Sequence, residues 1–148
     1  MMKYMTTLAA FSFLILTGNA QAKQDDILGK WMSEEKNLVV EVYKQSDDFK
    51  AKIVWFHNPK DTVQPIDQWM DVKNPDQALR TRKILGMDIL SGLEYDEDDM
   101  KWTDGKIYDA TSGKTWDAEV KLHDPKLLEV RGYYIFRFLG RTMRFTRM

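Results

Sequence analysis

The sequence predicts an all-β domain: an antiparallel soluble barrel of about eight strands, with one short helix near residues 75–83. Three observations predict it. Short runs alternate apolar and polar residues with period two, as in Phe49-Lys50-Ala51-Lys52-Ile53. Clusters of turn-forming residues recur about every 8–12 residues. The polar side of the runs carries Lys50, Lys52, Asp117, Glu119 and Lys121, so that side faces water and the apolar side fills the interior. A lipid-facing barrel would need the reverse, an apolar outer band on strands of about 9–11 residues.

The first residues read as an export signal. Lys3 gives a short positive start, Thr7 to Thr17 is an uncharged apolar run, and Ala20-Gln21-Ala22 fits a cleavage site. The run is shorter than the roughly 20 residues that span a membrane. The expected division is a signal peptide over 1–22 and a single barrel domain over 23–148, periplasmic or secreted, with no stable membrane anchor. No cysteine occurs, which excludes disulfides and a lipoprotein-type anchor. The mature chain of about 126 residues suits one domain. It loses Lys3 and no acid, leaving a charge of about −2, with no basic stripe to suggest nucleic acid.

The first strand is expected over Ile27 to Met32. Glu34 to Asn37 reads as a turn, and Leu38 to Tyr43 alternates with β-branched residues. Gln45 to Asp48 turns the chain into Phe49 to Phe56, making a hairpin with one wet side. His57 to Met70 is loop, broken by Pro59 and Pro65. Asn74-Pro75-Asp76-Gln77 is a helix-start pattern, and a helix of two turns is expected to run to Arg82 or Lys83, before Gly86. With Leu79 as its one large apolar residue, that helix must be held by packing. From Met87 the strand rhythm resumes, with a kink at Gly92. Asp104-Gly105 reads as a tight hairpin turn. Trp116, Ala118, Val120 and Leu122 are assigned inward, then Leu128, Val130 and Tyr134, then Met143 and Phe145. Gly105-Lys106-Ile107-Tyr108-Asp109 is echoed by Gly113-Lys114-Thr115-Trp116-Asp117, as arms of consecutive hairpins.

Few residues suggest chemistry. His57 and His123 lie far apart in turns, and without cysteine a structural zinc site is not expected. No nucleophile elbow or phosphate loop occurs. The acidic run Glu94 to Asp99 lacks calcium-loop spacing and reads as a solvated hairpin tip. Arg80 pairs with Asp76 in the bland reading; alternatively Arg80 or Arg82 clamps a carboxylate or phosphate.

Gly29-Lys30-Trp31 resembles the Gly-x-Trp signature of lipocalins and their calycin relatives. There the tryptophan plugs the closed end and an arginine of the last strand packs over it; Arg141, Arg144 or Arg147 would serve. A wider set of motifs is similar to a bacterial exported family, domain of unknown function 2147. It runs from Ile27-Leu28-Gly29-Lys30-Trp31 and Lys52-Ile53-Val54-Trp55 through Asn74-Pro75-Asp76, Leu79-Arg80-Thr81-Arg82, Leu85-Gly86, Ile89-Leu90-Ser91-Gly92 and Gly105-Lys106-Ile107-Tyr108-Asp109. It continues through Ser112-Gly113-Lys114-Thr115 and Val130-Arg131-Gly132-Tyr133 to Leu139-Gly140-Arg141-Thr142. The chain departs in lacking a cysteine pair near Gln45 to Ala51 and in carrying Lys83 where many members have proline. The resemblance implies export and a calycin-like shape, and implies no activity.

The leading expectation is a binding protein for a small apolar or amphipathic ligand. Trp55, Trp116, Tyr134 and Phe145 would form its walls, and Arg80 or Arg82 would meet an acidic head group. No cofactor and no metal are expected. The alternative is an envelope interaction or stress protein that uses a filled barrel as scaffold, with Tyr43 and Phe56 marking its surface. A third reading is an enzyme with Asp71 or Asp88 as a carboxylate base.

Overall fold

Eight antiparallel strands close on themselves, so the apolar residue at every second position points into one shared interior. The computed structural model describes residues 23–134 and 140–148. The strands are β1 (Gly29–Ser33), β2 (Leu38–Gln45), β3 (Asp48–Phe56) and β4 (Asp88–Asp96), then β5 (Lys101–Asp109), β6 (Lys114–Asp124), β7 (Leu127–Tyr133) and β8 (Arg141–Arg147). Each pairs with its chain neighbour, and β8 returns to β1 through Trp31↔Arg147, Met32↔Thr146 and Ser33↔Phe145. The outer wall carries ion pairs such as Glu41–Lys52 and Lys106–Asp117. That is the polarity expected of a barrel in water. No helix among the described residues is long and apolar enough to cross a membrane.

One end of the barrel is closed by the residues just before β1. Gln24–Ile27 forms a 3-10 turn, and Ile27 is buried. The expected first strand therefore begins two residues later, at Gly29. Trp31 and Trp102, both fully buried, donate their indole N–H groups to the Ile27 and Gln24 carbonyls, at 2.8 and 3.2 Å. Burying two tryptophans without orphaning an N–H requires such partners. The Arg147 guanidinium lies 4.2 Å from the Trp31 ring centre and donates to the carbonyls of Leu28, Pro125 and Asp26. Of the three arginines the sequence offered, Arg147 is the one over the tryptophan.

Above this plug, Phe49, Leu93, Leu128, Val120 and Phe145 fill the bore. They leave a void of about 30 Å³ with a wholly apolar lining. That is the volume of one water, with no polar group to hold it.

Two local expectations are corrected. Asp104-Gly105 is not a hairpin turn; β5 runs straight through it, and the chain reverses earlier, between Asp96 and Lys101. Asp104 has φ 61 and the register against β6 shifts there, so the dipeptide makes a bulge. A Cβ on Gly105 would stand 2.6 Å from Leu93 Cδ2, so packing across the core demands glycine there. The short helix is also smaller than expected. A single 3-10 turn, Gln77–Leu79, replaces two α-turns, and Asp76 rather than Asn74 caps it, accepting from Ala78 N at 2.9 Å. So short a segment does not reach the length at which helix propagation outweighs nucleation, and Asn74 is drawn elsewhere. Gly92 does kink β4, at φ 73, with its N–H donating to Asp48 Oδ1.

Candidate functional site

The connection between β3 and β4 is a strap, residues 57–87, held against the barrel by one buried carboxylate. Within the strap, Asp71 N donates to Arg82 O and Ile84 N to Trp69 O, each at 2.9 Å, with Met70 bridged to Lys83. This ladder sets Asp71 beside Arg82, and their side chains meet: Arg82 Nη2 to Asp71 Oδ2 is 2.8 Å. Asn74, also buried, donates its Nδ2 to the same oxygen at 2.8 Å. The other oxygen, Oδ1, accepts the Tyr108 hydroxyl at 2.6 Å. Asp71 itself is fully buried.

The strap thus latches onto β5 through Tyr108. It touches the β5–β6 turn as well, where Lys73 Nζ donates to Thr111 O at 2.7 Å. Gly113, at φ 71, lies so close beneath that a Cβ there would fall on the Lys73 carbonyl.

Burial pushes the Asp71 pKa up, but the bonds from Tyr108, Asn74 and Arg82 outweigh it, and the carboxyl sits below its ordinary value. For Tyr108, burial and the Asp71 carboxylate act together and push the phenol to about 12. Asp71 is therefore ionised with its lone pairs already engaged, which makes it a poor proton acceptor for a reaction.

Between the strap and β4–β6 lies a pocket of about 320 Å³, partly open to solvent. Pro75 and Leu79 of the strap face Ile89 and Leu90 of β4 across it. Ile89 and Leu90 also border the small interior void, so β4 separates the two spaces. Gly105 and Ile107 face the interior, so by alternation Lys106 and Tyr108 stand on the outer side, where both line the pocket. Its polar groups are Arg82, Lys106, Asp88, Ser91, Thr115, Tyr108 and Asn74. Among the described residues Arg82 hydrogen-bonds only through Nη2, its guanidinium lies 5.9 Å from the Tyr108 ring centre, and its Nε is buried without an acceptor. Lys106 pairs with Asp117, which holds the ammonium pKa above its ordinary value. Asp88 accepts the Tyr43 hydroxyl through Oδ1 at 2.7 Å; burial and that bond push Tyr43 to about 12.

Residues 29–147 match the model of a family described as an uncharacterized protein conserved in bacteria, DUF2147. The chain belongs to the DUF2147 family. None of the curated proteins compared with it matches significantly. A solved structure similar to this DUF2147 chain is that of protein HP1028 from Helicobacter pylori, described as belonging to the lipocalin family. The identity is 24%, 82% of each chain is covered and the TM-score is 0.68. At that identity the likeness speaks to the fold, a closed lipocalin-like barrel.

In this DUF2147 barrel the six sequence-nominated ligand contacts do not form one group. Arg82 lines the pocket, and Leu79 lies over it. Arg80 turns away, giving its Nε to the Asn74 carbonyl at 2.8 Å rather than pairing with Asp76. Phe145 is buried in the filled bore. Trp116 meets Tyr134 edge-to-face at 6.1 Å, and Trp55 stacks on His57 at 6.4 Å. Trp55 and Tyr134 are exposed. Tyr43 and Phe56, considered as an interaction patch, are half-buried, the first under Lys52 and the second against Trp69.

Sequence reasoning passed over Tyr108, Lys106, Ser91 and Thr115. A signal for Tyr108, Lys106 and Thr115 was present in the Gly-Lys-Ile-Tyr-Asp echo; Ser91 lies outside it. Its two arms pair in register, Lys106↔Asp117 and Tyr108↔Thr115, so their outward residues share one surface.

Proposed function

We propose that this protein is an exported carrier or sensor of a small amphipathic molecule with an acidic group, bound between the strap and β4–β6. One observation carries the reading. Among the described residues the void in the bore measures about 30 Å³, too little for a ligand, whereas the strap pocket holds about 320 Å³, at the lower edge of known ligand sites. Arg82 brings to that pocket a guanidinium that hydrogen-bonds to the described residues through Nη2 alone, and Leu79, Ile89 and Leu90 bring apolar surface. An acid on an apolar body answers both. The lipocalin-like fold supports small-ligand binding in general terms, as an analogy of fold. A filled bore also suits a scaffold, but a scaffold has no use for an orphaned arginine donor. Export is supported by the leader ending at Ala22.

The test is native mass spectrometry of the protein isolated from its own cell envelope, beside Arg82→Gln prepared identically. A small acidic species on the parent and its loss from the variant are expected, with both chains beginning at Lys23. Repeated isolation of an empty parent chain refutes the binding reading.

A further inference from the structure

We propose that the pocket takes a zwitterion, an α-amino acid with an apolar side chain, in preference to a simple organic anion. The proposal rests on the binding reading above and adds the head-group chemistry. The argument is one of charge. Arg82 and Lys106 are the pocket's cations, and each already has a carboxylate partner, Asp71 and Asp117. Asp88 adds a third carboxylate on the pocket wall. The surroundings are therefore not net positive, and a ligand carrying only negative charge would meet two half-neutralised cations and one acid with no cationic partner among the described residues.

The unused valences show what suits the site. On the donor side, Arg82 Nη1 makes no hydrogen bond among the described residues. On the acceptor side, Asp88 uses Oδ1 for Tyr43 and makes no hydrogen bond through Oδ2 among the described residues. A carboxylate for Arg82 and an ammonium for Asp88 complete both, and the sum of charges is left unchanged. The apolar remainder lies against Leu79, Ile89 and Leu90. The volume, about ten waters' worth, matches a molecule of roughly a dozen non-hydrogen atoms such as phenylalanine.

Three matched probes test this by titration calorimetry on the mature protein: L-phenylalanine, 3-phenylpropanoate, which lacks the ammonium, and 2-phenylethylamine, which lacks the carboxylate. Phenylalanine is expected to bind about tenfold more tightly than either, the scale of one hydrogen-bonded charge contact. Asp88→Asn keeps an acceptor for Tyr43, so it should fold. It is expected to bring phenylalanine down to the level of 3-phenylpropanoate while leaving 3-phenylpropanoate at least as tight as before. Arg82→Gln is expected to weaken both acids. If 3-phenylpropanoate equals or exceeds phenylalanine, the zwitterion proposal is overturned while the acid-binding reading stands. If none of the three binds, the amino-acid proposal is overturned, and the envelope isolation above decides the wider reading separately.

Discussion

Replacing Asp71 by alanine removes the acceptor of three donors at once: the Tyr108 hydroxyl, the Asn74 amide and the Arg82 guanidinium. Breaking a buried ion pair from one side costs about 3–5 kcal/mol. Here the Arg82 side chain is 36% exposed, so water recovers part of that loss. The expected destabilisation is about 2–4 kcal/mol, a large fraction of the roughly 5–15 kcal/mol that holds a domain of this size. Urea unfolding followed by tryptophan fluorescence measures it; the midpoint should fall with little change in slope. Asp71→Asn carries a pH signature. The native Asp71 pKa is below its ordinary value, so the unfolded chain takes up the proton first as pH falls. The stabilisation is fully present above the unfolded value of 3.8 and disappears as pH falls through the folded one. The stability gap between parent and Asp71→Asn should accordingly narrow below about pH 4. An Asp71→Ala unfolding free energy within about 0.5 kcal/mol of the parent would refute the latch, because a surface substitution gives that much.

Other perturbations follow from the same geometry. Arg147→Gln should cost about 2–4 kcal/mol, from lost stacking on Trp31 and lost bonds to three carbonyls. It should also alter Trp31 emission, and an unchanged spectrum with unchanged stability would count against the clasp. Gly113→Ala meets both a positive φ and the Lys73 carbonyl. Its expected effect is about 1–3 kcal/mol together with faster amide exchange at Asp71 and Ile84, whose N–H groups hold the strap ladder. Normal exchange at those two amides would show that the strap does not rest on the turn.

The barrel was legible because its evidence is local. Period-two alternation in Phe49 to Ile53 and Trp116 to Val120 needs no partner to be read, and the Gly-x-Trp at Gly29 to Trp31 marked the closed end. The site was legible only in part. Arg82 stood out as a cation beside glycine and proline punctuation. Its partner Asp71 lies eleven residues away in the strap, and Tyr108 another thirty-seven beyond Asp71, joined by a loop path that no periodicity encodes. The misreading of Asp104-Gly105 has the same root. The dipeptide has turn chemistry, yet a bulge uses the same positive φ, and the deciding fact is how near Leu93 comes across the core.

The ring closure through β1 and β8 has a consequence for time rather than for energy. Every other strand pair joins chain neighbours, whereas Trp31 must find Arg147, at the far end of the sequence. Loop-closure entropy makes so distant a contact late to form. The Arg147 clasp therefore belongs to the descent from the folding barrier and not to its ascent. It governs how slowly the finished barrel comes undone.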